Sequence, residues 1–328
     1  MKLKDYVWPV VGIAAVILSA WLLYHELRSL SLDDVLESLA AIPLHSWFLA
    51  LAATVVAYAA LAGYDRIALM HLRRHVPWPF VALCSFTTYA LAHNIGASVL
   101  SGAVVRYRAY SSRGLSGAEV GVLVALCSFT FGLGAALLAG IVLLIEPGLA
   151  ARFVEGVPDS VGRALGAVLL AGVALYALGS SLGFRPVSLW GFQIHYPRMG
   201  IVARQFVVGP LELIGAAGII YFALPEAGNP GFIVILGLFL ASFCAALLSH
   251  APGGLGVLEL LFITALPDMD PADVLAALIV FRLLYLLIPF AVSIVIVLAF
   301  ERTEFSRRRK LAGPSGAGPA NGAPPPSG

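Results

Sequence analysis

One apolar run, Phe232 to Leu266, constrains this chain most, because a helix has to stop partway along it. Helix-like residues lead to Ser249-His250, then comes Ala251-Pro252-Gly253-Gly254-Leu255-Gly256. Apolar sequence resumes at Val257 and carries one acid, Glu259. Pro252 has no N–H, and its ring clashes with the preceding turn. Gly253, Gly254 and Gly256 each weaken a helix by about 1 kcal/mol. In hydrocarbon, an unsatisfied backbone N–H or C=O costs several kcal/mol, so a break survives only against protein or beside a wet cavity. An ordinary extramembrane turn would leave the second run to cross alone, and it falls well short of the roughly 20 residues needed. The spacing therefore predicts a broken or re-entrant segment.

The rest of the chain supplies the membrane context. Of 328 residues, 60% are hydrophobic and 12% charged, against about 25% charged in ordinary soluble domains. Strand alternation is absent, which argues against an outer-membrane barrel. The start could mimic a signal peptide, but Val7–Leu27 is long and no small-residue cleavage site follows, so it reads as a retained first helix. Ser31–Ala40 reads as a short amphipathic piece capped by Ser31. Further spans are expected at Ser46–Leu69, Ala118–Ile145, Val161–Gly183, Ile201–Leu224 and Asp273–Phe300. Phe80–Val105 is a second interrupted segment, with His93, Asn94, Gly96, Ser98, Ser101 and Gly102 inside it. The expected fold is an all-α integral membrane protein with about six spanning helices and two broken segments. The membrane domain covers 1–305; a basic stop and a Gly/Pro/Ala tail, too poor in apolar residues for a core, cover 306–328. Cys84, Cys127 and Cys244 lie in apolar runs and read as small buried hydrophobes.

Basic residues set the topology. If both interrupted segments return to their starting face, the bases from Lys2 and Lys4 through Arg106, Arg108, Arg113 and Arg198 to Lys310 share one side. The other side keeps Arg28, Arg152 and Arg163 among acids such as Asp33, Glu146 and Asp268. A re-entrant hairpin and a pair of short tilted crossings satisfy this equally. The order span, broken segment, span then occurs twice, in opposite directions, with a histidine beside each break (His93 and His250). That is the pattern of an inverted repeat.

A charge within the bilayer costs at least ~2.5–3.5 kcal/mol, which singles out Glu212, Glu259 and Arg282. Arg282 needs a carboxylate, Glu259 or Glu212, or a lipid phosphate suited to its planar fork. A structural ion pair locking two helices is the competing account. His93 and His250 read first as hydrogen-bonded packing groups. Arg106 and Arg108 follow the first break and read as a head-group cradle at a cavity mouth; ordinary positive-inside charge is the alternative. Tyr107, Tyr110 and Tyr285 suit interfacial anchoring. Catalytic motifs and metal-spaced Cys/His sets are missing, so no catalytic residue, cofactor or metal is expected.

Three stretches carry a family resemblance. Ser101-Gly102-Ala103-Val104-Val105-Arg106-Tyr107-Arg108, Pro252-Gly253-Gly254-Leu255-Gly256-Val257-Leu258-Glu259 and Phe281-Arg282-Leu283-Leu284-Tyr285 resemble signatures of the lysylphosphatidylglycerol synthase transmembrane family. Ala103 stands where a second glycine is expected. That family includes the flippase half of multiple peptide resistance factors and stand-alone inner-membrane proteins. The resemblance implies a lipid translocase in a bacterial cytoplasmic membrane, with both termini cytoplasmic and a link to antibiotic resistance. Its ligand would be an anionic or aminoacylated phospholipid. Arg106, Arg108, Glu212, Glu259, Arg282 and Tyr285 would meet the head group, while His93, Asn94, Gly96, Gly102, His250, Pro252, Gly253, Gly254 and Gly256 would form the breaks. The cytosolic transferase half is not in this sequence, so a separately encoded transferase is a conceivable partner. A membrane subunit that anchors or regulates such an enzyme is the rival reading; no nucleic-acid partner is expected, and homo-oligomerisation is open.

Overall fold

The computed structural model describes residues 31–95, 98–154, 156–183, 187–189, 192–194, 197–249 and 254–311, with side chains described to residue 300 outside the segments 95–101, 187–189 and 192–194. The expected first helix, the tail, Gly96, His250, Pro252 and Gly253 lie outside the described residues.

The described chain is helical almost throughout. A short helix α1 (Leu32–Ala41) opens with a capping box, in which the Asp34 N–H donates to Ser31 Oγ and the Ser31 N–H to Asp34 Oδ2. That backbone N–H, and then the Ser31 hydroxyl, hold the Asp34 carboxyl below the usual carboxylate range. Next come α2 (Leu44–His71), α3 (Trp78–Ile95), α4 (Ser98–Ser111), α5 (Gly117–Ile145), a 3₁₀ turn (Pro147–Arg152) and α6 (Asp159–Ser181). After it follow α7 (Met199–Ala223), α8 (Phe232–Ser249), α9 (Val257–Ala265), α10 (Pro271–Phe281), a π-helical stretch (Arg282–Leu287) and α11 (Ile288–Leu311). Six described stretches are long and apolar enough to cross a membrane: α2, α5, α6, α7, α8 and 271–300. The outward side of α6 bares Leu165, Val168, Leu175 and Leu178, an apolar surface suited to lipid. The protein is an all-α integral membrane protein.

Two details depart from the sequence expectation. Between α6 and α7, Val187–Leu189 pairs antiparallel with Phe192–Ile194, a small ribbon of β-prone residues. Cys84 and Cys127 are buried as expected, but Cys244 is exposed on α8.

Both interrupted segments fold back on themselves. A methyl group added at Gly102 of α4 would lie 3.2 Å from Thr88 Cγ2 and 3.7 Å from Ala92 Cβ of α3. Near the far end of α4, the Tyr110 ring meets Phe80, at the start of α3. The second segment repeats the device. Gly254 backs onto Ala246 near the end of α8, while Asp268, beyond α9, returns to Gly228, just before α8. Gly254 and Gly256 take φ of 66° and 80°, a region where side chains are strained.

The two halves run in opposite directions. Gly63 of α2 faces Val208 of α7, and Gly215 of α7 faces Ala53 and Ala57 of α2, so the two helices pack antiparallel. Corresponding elements keep constant spacing: Leu44 and Met199 are 155 residues apart, Trp78 and Phe232 154, Gly117 and Pro271 154. Because α2 and α7 end on opposite sides, the hairpins that follow enter from opposite sides. Their deep ends touch where the His93 ring lies 6.4 Å from Phe243.

Candidate functional site

Where the hairpins meet, polar side chains from six elements form a continuous layer. In α2, Asp65 is fully buried in the run Tyr64-Asp65-Arg66. It binds Arg106 of α4, with Arg106 Nη2 2.7 Å and Nε 3.2 Å from Asp65 Oδ1. The Tyr110 hydroxyl donates to Asp65 Oδ2 at 2.8 Å, and Cys127 Sγ of α5 lies 3.4 Å from Oδ1. The guanidinium also sits 4.7 Å over the Tyr89 ring, a cation–π contact. Arg106 is 4% exposed, so it lies inside the protein and not at a basic mouth as the sequence reading had it. Arg108 and Tyr107 face outward on the same helix.

One step along α2, Tyr64 touches Tyr89 and reaches α7, where Pro210 sits inside the helix. Glu212 of α7, 2% exposed, accepts from the Tyr285 hydroxyl at 2.6 Å and lies 3.4 Å from the Tyr64 hydroxyl. The Tyr64 hydroxyl is also 3.3 Å from the Gly209 carbonyl oxygen. Tyr285 is therefore a buried polar contact and not an interfacial anchor. His93 of α3 stacks on its ring, 5.3 Å between centroids.

The π-helical stretch follows from local sequence. Pro289 has no N–H to offer the carbonyl four residues back, Tyr285, and the Ile288 N–H reaches five residues back to Leu283. Side chains from the first half serve these carbonyls. Tyr58 donates to Tyr285 O at 2.9 Å, and Asn94, beside the first break, donates to Leu286 O at 3.1 Å.

Beside the second break, Glu259 does two jobs. Its Oε2 accepts from the Gly256 N–H at 2.9 Å, satisfying an orphan donor at the start of α9. Its Oε1 lies 2.6 Å from the Arg282 guanidinium, which also reaches the Gly254 carbonyl oxygen at 3.4 Å. Each hairpin's returning limb is thus pinned to a neighbouring helix by one ion pair. The Glu259–Arg282 pair is 14–15% exposed, unlike the sealed Asp65–Arg106 pair. Replacing Glu259 with alanine removes a cap worth about 1–2 kcal/mol. Amide exchange across 257–265 should then speed up about tenfold by mass spectrometry; unchanged exchange would mean that Glu259 does not hold α9.

Of the residues singled out by sequence, His93, Asn94, Glu212 and Tyr285 meet in one layer, and Glu259 pairs with Arg282. Asp65, Tyr58, Tyr64, Tyr89 and Cys127 were missed. A lone acid in an apolar run was the available signal for Asp65. Among the described residues, no group of His, Cys, Asp and Glu could hold a metal ion.

Antiparallel halves, facing helical hairpins and a buried charged layer define a multi-pass membrane protein. Across 266 residues, the chain is 30% identical to the inner membrane protein YbhN of Escherichia coli, covering 78% of this chain and 80% of that one. The chain belongs to the YbhN family of membrane proteins. An uncharacterised Synechocystis protein, slr0712, is 27% identical over 310 residues, covering 94% of this chain and 96% of that one. No family model matches the chain.

Proposed function

We propose that this protein is a lipid translocase that moves a phospholipid head group across a bacterial cytoplasmic membrane, with both termini on the cytoplasmic side. The reading rests on one observation, the meeting of two opposed helical hairpins over buried charged groups at His93–Phe243. Broken helices of this kind form substrate sites near mid-bilayer in inverted-repeat transporters. The resemblance to the lysylphosphatidylglycerol synthase transmembrane family supports phosphatidylglycerol, free or aminoacylated, as the substrate, and with it a contribution to antibiotic resistance. The partly exposed Glu259–Arg282 pair is where a head group exchanges in. A phosphate replaces Glu259 on the Arg282 fork, and an amino head group takes up Glu259. Arg108 lines the approach. The acyl tails stay in the bilayer, so the protein need only lower the head group's passage cost.

The test is movement of fluorescent phosphatidylglycerol in proteoliposomes, read by quenching from outside. Arg282→Ala should slow it at least tenfold, the scale of about 1.4 kcal/mol in a barrier. Movement at the parental rate removes Arg282 from the site. A non-transporting subunit that anchors or regulates a lipid-modifying enzyme is the second reading, favoured by the fact that both ion pairs are already complete. Lipid movement no faster than in empty vesicles would select it.

A further inference from the structure

Glu212 stands apart from the other acids of the layer. Asp65 has Arg106 and Glu259 has Arg282, but Glu212 makes no ion pair among the described residues. The ionisable groups around it are tyrosines and one histidine. Tyr58 and Tyr64 come from α2, Tyr285 from the π-helical stretch, and Tyr89 and His93 from α3 one layer further out. Across α5 lies Cys127, which faces Asp65. Helix α6 offers Tyr176, which donates to Gln205. On α8 and α10 the ionisable groups are Cys244, which is exposed, and Asp273 on the first turn. The cations on neighbouring elements are Arg106, engaged by Asp65 behind Tyr89, and Arg282 of the π-helical stretch, engaged by Glu259.

The geometry supplies a second argument. Tyr64 has one hydroxyl proton and two neighbouring acceptors, Gly209 O at 3.3 Å and Glu212 Oε2 at 3.4 Å. With an ionised Glu212, that single proton makes only one of the two contacts a hydrogen bond. With a carboxylic acid, Glu212 Oε2–H donates to Tyr64 Oη, Tyr64 donates to Gly209 O, and Tyr285 donates to Glu212 Oε1. Every contact is then used once. An unpaired carboxylate here would also bear the full desolvation cost of a buried charge.

We propose that Glu212 is a proton-carrying site that couples lipid movement to the transmembrane proton gradient, which presupposes the translocase reading above. Tyr64 and Tyr285 hold the carboxylic acid in the closed arrangement described here. When the layer opens to water on one side, the Oε2–H bond breaks, its electron pair stays on the carboxylate, and the proton passes to a water molecule. The closed cage has no counter-charge for an anion, so the layer recloses only when a protonated amino head group takes the place of the released proton. Proton and head group thus exchange one for one across the layer.

The experiment has two readouts on the full-length protein. Infrared difference spectroscopy in vesicles looks for the deuterium-sensitive carbonyl band of a protonated carboxylic acid. In parallel, fluorescent aminoacylated phosphatidylglycerol is followed in proteoliposomes with an imposed pH difference of one unit. At one proton per lipid, that difference biases the leaflet distribution by up to about tenfold. The parent should show both the band and the bias. Glu212→Gln, close in size, should lose both, and Tyr64→Phe should shift the band because its acceptor is gone. No band in the parent, or a bias retained by Glu212→Gln, overturns the proposal. A parent that moves lipid with no response to the gradient overturns the coupling and leaves the translocase standing. A parent that moves no lipid at all overturns both.

Discussion

Replacing Asp65 with alanine is expected to cost about 3–5 kcal/mol of stability, the price of stranding one member of a sealed ion pair. Arg106 would keep its charge inside the protein, with Tyr89 beneath it and no carboxylate in front. The double replacement Asp65→Ala with Arg106→Met should recover most of the loss, since an apolar pair of similar volume is often as stable as the buried ions. Unfolding of the purified protein in detergent, followed by heat or denaturant, gives both numbers. A single-site cost below about 1 kcal/mol would place the pair among weak surface bridges and contradict its burial. Recovery in the double variant matters as much, because it separates the loss of a contact from the presence of an orphaned charge.

The second large effect lies at the crossing of α5 and α7. A methyl group on Gly134 would come 2.5 Å from the Gly209 carbonyl carbon. That neighbour is backbone, which cannot rotate out of the way. Small residues let membrane helices approach this closely, and the approach sets the position of Pro210 and Glu212. Gly134→Val should therefore destabilise by about 1–3 kcal/mol or more. Gly121→Ala, on the same helix with nothing within 4 Å of the added carbon, is the control. It should be neutral or stabilising by up to about 1 kcal/mol. Equal behaviour of the two variants would mean that the helices do not meet as described.

Much of the architecture was legible before any coordinates. Pro252 and its glycines forced the second break, and the charge balance across loops forced both interrupted segments to return to their starting side. Glu259 and Arg282 are isolated charges in apolar runs, so each had to find a partner, and they found one another. Asp65 was harder to see. It is followed by Arg66 and lies near the basic loop after α2, so its sequence context matches that of a residue at the end of a span. With Asp65 overlooked, Arg106 had no partner in sight and was assigned to lipid. The tyrosine cage was invisible for another reason. Tyr58, Tyr64 and Tyr285 are amphipathic residues that suit an interface equally well, and only helix packing decides whether their hydroxyls point to water or to an acid. The π-helical stretch turns on Pro289 being answered by Tyr58, a contact between residues 227 positions apart.

The last span also ties two acids to one mechanical part. Arg282 and Tyr285 are three residues apart, a rise of roughly 4.5 Å along a helix, yet they grip Glu259 and Glu212 on different helices. A rotation that frees the guanidinium from its acid must drag the phenol against the other. A shift of the Arg282 guanidinium is therefore felt at Glu212 through less than one helical turn, as two gears on a single axle share every motion.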